Sequence, residues 1–126
     1  MNASEATKNI LLIDDDITAL DIVSFLFEER GYAVERCTDG YAAIESVKLN
    51  APDLIIVDLM MPQINGVDTV REIRSLGVEV PIIAFTAVDE PVLHDTAEDA
   101  GCDLVLTKPC RPERLVEHIK ALLPGA

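Results

Sequence analysis

Leu54-Ile55-Ile56-Val57-Asp58 is an unbroken apolar run that ends in a carboxylate. A run this short, β-branched and free of polar alternation reads as a strand buried on both faces. Ile10-Leu11-Leu12-Ile13 is a second such run, and it ends in Asp14-Asp15-Asp16. Two buried-type strands that both finish in Asp should bring several carboxylates to one sheet edge. Such a cluster repels itself and calls for a cation. Oxygen ligands without Cys or His point to Mg²⁺ or a similar hard ion. A carboxylate beside such an ion, at the carboxyl ends of parallel strands, is a place for phosphoryl chemistry.

Working outward from these runs, strand and helix signals alternate along the chain. A first strand is expected over 9–14. A helix follows over 17–30, capped by Asp16, with Leu20, Val23 and Phe27 at helical spacing and Gly31 ending it. A strand over 33–37 precedes a helix over 40–49 capped by Asp39. Pro52 punctuates the entry to the strand over 53–58. Pro62 to Gly66 reads as a loop and 67–76 as a helix. Asn65-Gly66 would suit a hairpin, but its flanks do not alternate as strands do. Strand four is expected over 80–85 and strand five over 103–107. The helix between them has only Leu93, Ala97 and Ala100 in register, so it should pack lightly. The last helix spans 111–123, with Pro112 in its first turn and Pro124-Gly125 as its stop. Alternating strands and helices with apolar strands imply an α/β fold, a parallel sheet covered on both faces. Right-handed crossovers leave few strand orders. In the order 2-1-3-4-5, the switch point falls between strands one and three, which end at Asp14–Asp16 and Asp58.

The 126 residues suit one domain, and a hydrophobic content of 49% is too high for a disordered chain. The net charge of −13, from 23 acidic and 10 basic side chains, disfavours direct nucleic-acid binding. No apolar stretch approaches a membrane span, and Met1–Asn9 contains no apolar signal core, so a cytoplasmic location is expected. Cys37, Cys102 and Cys110 are odd in number without CxxC spacing, which fits reduced thiols. Cys110 adjoins the expected site, and packing is a better reading of it than redox sensing. His94 and His118 have no metal-like spacing and read as solvated helix residues.

Five segments, in order and at successive strand ends, carry a family resemblance. They are Leu12-Ile13-Asp14-Asp15-Asp16, Val57-Asp58-Leu59-Met60-Met61-Pro62, Asn65-Gly66, Phe85-Thr86-Ala87 and Leu106-Thr107-Lys108-Pro109. The chain resembles a receiver domain of two-component response regulators, of the chemotaxis-regulator-like group. The resemblance covers about residues 9–123 and implies a single doubly wound, flavodoxin-like, five-stranded parallel sheet with five helices; the strand order rests in part on it. Residues 1–8 then form a flexible N-terminal segment and 124–126 a C-terminal tail.

The resemblance implies roles residue by residue. Asp58 accepts a phosphoryl group from a histidine kinase or histidine phosphotransfer protein. Asp14, Asp15 and Asp58 hold Mg²⁺ with the backbone carbonyl of Met60. Thr86 bonds the phosphoryl group and Lys108 pairs with one of its oxygens. A cis Lys108–Pro109 peptide is expected. The output would be changed binding of a downstream protein at the face of helix four, strand five and helix five. There would be no catalysis beyond the domain's own phosphorylation and dephosphorylation, no direct nucleic-acid or membrane contact, and room for a homodimer.

The residue types make chemical sense on their own. An attacking carboxylate must be ionised, and a cation with Lys108 would keep it so. Phosphoryl transfer needs positioning and neutralisation of equatorial oxygens. Blander readings stand beside these: Asp16 as a helix cap, Thr86 as an ordinary β-branched strand residue, Lys108 as a surface lysine and Met60 as core filler. Two positions depart from the family pattern. Val105 stands where Tyr or Phe is usual, so signal relay by ring rotation is excluded. Cys110 stands where Phe is frequent. Met60 and Val88 should line the mouth of the site.

Two other classes share parts of this pattern. A Mg²⁺-dependent aspartyl phosphatase would want a second acid two residues after the nucleophile, where Met60 stands. A flavodoxin-like cofactor binder would want Gly, Ser or Thr after strand one, where three aspartates stand.

Overall fold

The computed structural model describes residues 7–123. Ten elements alternate strictly: β1 (Asn9–Ile13), α1 (Ile17–Glu29), β2 (Ala33–Cys37), α2 (Gly40–Leu49), β3 (Leu54–Asp58), α3 (Gly66–Ser75), β4 (Ile82–Thr86), α4 (Pro91–Ala100), β5 (Leu104–Thr107) and α5 (Pro112–Leu122). The five strands form one parallel sheet in the order β2-β1-β3-β4-β5. The tail at 124–126, with its Pro124-Gly125 stop, lies outside the described residues, as does the N-terminal segment apart from Thr7 and Lys8, which form no regular element.

The apolar runs divide themselves between two cores because successive strand side chains point to opposite faces. Leu11, Ile13, Ile55, Val57, Ile82 and Ala84 pack beneath α2, α3 and α4. Ile10, Leu12, Leu54, Ile56, Ile83 and Phe85 pack beneath α1 and α5. The three central strands can therefore be apolar along their lengths apart from their end residues Asn9, Asp58 and Thr86, while β2 and β5 lie at the sheet edges. Asp16 caps α1, accepting hydrogen bonds from the amides of Thr18 and Ala19, and Asp39 caps α2 through Ala42 N. Asn65 caps α3 by accepting from Asp68 N at 2.9 Å, so Asn65-Gly66 opens a helix rather than a hairpin.

The main boundary correction concerns strand four, expected over 80–85 and found at Ile82–Thr86. Pro81 has no N–H for a ladder. The carbonyls of Val78 and Val80 are taken by the Arg74 guanidinium at 2.9 and 2.8 Å, so these two residues pair with a side chain instead of a strand. β2 and α2 have the expected bounds, and β1, α1, β3, α3, β5 and α5 differ from expectation by a residue at one or both ends.

Candidate functional site

Sheet periodicity places the acidic groups. Leu12, Ile56 and Leu106 face the core under α1 and α5, so Asp14, Asp58 and Lys108, each two residues further on, rise on the same side at the carboxyl edge. Lys108 Nζ lies 3.2 Å from Asp14 Oδ2 and 3.2 Å from Asp58 Oδ2. The remaining oxygens are held by backbone: Asp58 Oδ1 accepts from Met60 N and Asp14 Oδ1 from Asp16 N, both at 2.9 Å. Asp14 and Asp58 are buried and Asp15 is exposed. Oxygens of Asp14, Asp15 and Asp58 lie within 4.8 Å of one another. Three hard donors so gathered, with one ammonium against three carboxylates, fit a small divalent cation.

Burial pushes the Asp58 carboxyl above the usual aspartate range. The Met60 amide and Lys108 pull it down, and Asp14 pushes it up again. Burial works against the Lys108 ammonium too, but Asp58 and Asp14 together outweigh it and raise its pKa. The two shifts have different origins: the single ammonium shared by two carboxylates is well matched, whereas the buried carboxylate is only partly compensated. The Lys108 ammonium also stands 5.6 Å from the centre of the Phe85 ring, a cation–π neighbour absent from the sequence reading.

Thr86 ends β4 and is fully buried. It shares its face with Ala84, toward α3 and α4, and its Oγ1 accepts from Val88 N at 3.0 Å. The phosphoryl-site candidates and Thr86 thus occupy opposite faces of one strand edge. Val105 packs against the core on the Thr86 side. Gly66 fits because α3 begins close to β3: a Cβ there would stand 2.3 Å from the Asp58 carbonyl oxygen. The Lys108–Pro109 peptide is cis.

Several expectations are corrected. The Met60 side chain is exposed, but it lines a groove with Arg71, Leu93 and Thr96 rather than the mouth beside Asp58. His94 and His118 are half-buried rather than solvated, since each lies at the flank of an amphipathic helix, and their Nε2 atoms are enclosed without a hydrogen-bond partner. The packing reading of Cys110, by contrast, holds: it packs against the core under α1 and α5, and burial pushes its thiol up despite Arg114, unlike a thiolate sensor.

The chain matches the family model of the response regulator receiver domain over residues 10–120. It is 38% identical over 114 residues to the response regulator MprA of Mycobacterium leprae, covering 90% of this chain and 50% of that protein. The MprA of Mycobacterium sp. strain KMS is 36% identical over the same shares. The chain therefore spans about half the length of the curated relatives it matches. Among solved structures, Vibrio cholerae chemotaxis protein CheY4 superposes with a TM-score of 0.89 at 29% identity, covering 94% of this chain and 100% of that one. A CheY-like receiver domain protein from Methanospirillum hungatei gives 0.88 at 26% identity, covering 92% and 93%.

Proposed function

Because the chain belongs to the response regulator receiver domain family, we propose that it is a two-component signalling switch phosphorylated on Asp58. The observation that carries this reading is Lys108 Nζ at 3.2 Å from both Asp14 and Asp58, beside carboxylates spaced to share an ion. The donor is a phosphohistidine on a histidine kinase or histidine phosphotransfer protein. An Asp58 carboxylate oxygen forms the new P–O bond while the P–N bond to the donor imidazole breaks, its electron pair leaving with nitrogen. Asp14, Asp15, Asp58 and the Met60 carbonyl would hold Mg²⁺, which would supply charge neutralisation for phosphoryl oxygens. Lys108 moves its ammonium from the free carboxylate to a phosphoryl oxygen. Thr86 turns its hydroxyl from the Val88 amide toward the same group.

The output is altered binding of a protein partner at the α4–β5–α5 face. The domain acts on no substrate other than its own phosphoryl group. Among the described residues no helix is long and apolar enough to cross a membrane, which supports the cytoplasm as the place of action. The test is incubation with acetyl phosphate, with and without Mg²⁺, followed by intact mass. One phosphoryl group should be added, only with the divalent cation, and none in Asp58→Asn. Modification of that variant at the parental rate would sink the reading.

A further inference from the structure

A cavity of about 490 Å³ opens at the carboxyl edge between α1 and α5. Its walls are apolar: Leu12 and Ile56 from the sheet, Leu20 and Val23 from α1, Leu115 from α5, and the Phe85 ring. Polar groups stand only at its rim, where Asp14, Asp16, Asp58 and Lys108 converge. The proposed phosphoryl chemistry uses that rim alone. A phosphoryl group or a hydrated cation gains nothing from walls of Leu, Ile and Val, so the apolar body of the cavity has no part in it. Its size and its pattern, apolar walls with a few convergent charges, are those of a small-molecule pocket. The space exists because small side chains, Ala19, Ala87 and Cys110, line it.

We infer that this cavity binds an apolar primary amine, a compact ring-bearing body with one ammonium head. The head charge follows from the rim, where three carboxylates face one ammonium. An anionic head would meet that excess of negative charge, and a neutral head would leave it uncompensated. The ammonium would bond Asp58 and Asp14, two of the three residues also placed to share a cation. Amine and divalent cation therefore exclude one another, and the bound amine blocks phosphorylation at Asp58. This last coupling rests on the functional reading above; occupancy of the cavity does not.

The probe is 2-phenylethylamine, with 2-phenylethanol as its neutral counterpart and 3-phenylpropionate as an anion, titrated into the full chain in EDTA and followed by amide NMR shifts. Saturable shifts are expected at Ala19, Leu20, Val23 and Leu115. The alcohol should bind about tenfold more weakly, the order of a charge-assisted hydrogen bond at a partly exposed rim, and the carboxylate more weakly still. Mg²⁺ should raise the apparent Kd of the amine in proportion to its concentration. Cys110→Phe, and independently Ala19→Leu, should fill the cavity and abolish binding while acetyl phosphate still modifies Asp58; two variants from opposite walls guard against one misfolding. Absence of saturable shifts in the parent, equal binding of amine and alcohol, or parent-like binding in both folded variants would overturn the inference. Amine binding without any Mg²⁺-dependent phosphorylation would instead overturn the functional reading and leave the pocket standing.

Discussion

At Asp58, burial and function pull in opposite directions. Burial raises its pKa, so the folded form holds the proton more tightly than the unfolded chain does. Between the ordinary aspartate value and the raised one, stability falls as pH rises, because the folded state is the one giving up protons. Above that window the carboxylate is ionised in both states and the metal-free fold carries the whole penalty. Below about 3.9, the ordinary aspartate value, both states are protonated and the penalty is gone. Lys108 does not disturb this window, since the stability its raised pKa contributes is fully present there and is lost only as the ammonium titrates at alkaline pH. Asp58→Asn should therefore exceed the metal-free parent in stability at pH 7, and the gain should vanish as pH falls below the aspartate range. Urea denaturation in EDTA across pH 3–8 measures this; a gain that persists in acid would assign it to shape and not to charge. Asp14, Asp58 and Lys108 were legible in the sequence because each follows an apolar strand by a fixed step. The Phe85 ring under Lys108 was not, because that contact crosses between neighbouring strands and depends on register.

At the scale of the element, α4 is the least anchored helix at its start. Glu90 makes no side-chain cap and Val92 is exposed, while only Ala97 and Ala100 are buried. Its far end is held differently. Two Arg74 N–H groups donate to the Gly101 carbonyl at 3.1 and 2.8 Å, and the same guanidinium reaches Val78, Val80 and Asp103. Helix α4 should pivot about this clamp, with its first turns moving when Thr86 leaves Val88. Beryllofluoride with Mg²⁺ should change amide exchange most over 87–95 and least over 98–103. Thr86→Ala should lose most of this response yet still be phosphorylated. Arg74→Ala should spread the response through 103 and cost about 1–3 kcal/mol, since it orphans partly buried carbonyls. A response uniform along α4 in the parent would exclude the pivot. The lightness of α4 was legible from its small side chains. The clamp was not, because Arg74 bonds residues across two loops and nothing in local periodicity marks it.

Across the whole molecule, the parallel sheet was legible because uninterrupted apolar strands demand cover on both faces, and the carboxyl edge then collects whatever ends each run. What that edge collects is charge. Oxygens from Asp14, Asp15 and Asp58 sit within 4.8 Å of one another, and a close carboxylate pair in partly screened surroundings costs about 1–4 kcal/mol. A cation that binds only the folded state should relieve this and raise the melting temperature with its concentration. At a hundred times its Kd the stabilisation is about 2.7 kcal/mol, or roughly 10 °C for a domain of this size. The net charge of −13 means that any added salt also screens general repulsion. Mg²⁺ must therefore be compared with KCl at matched ionic strength, and only the excess counts as site binding. Asp15 is the exposed member of the trio, so its removal disturbs packing least. Asp15→Ala should abolish most of the Mg²⁺-specific rise and should itself match or exceed the parent in stability without metal. If Mg²⁺ protects variant and parent equally beyond the KCl control, the cation binds elsewhere on this acidic surface and the cluster is not its site.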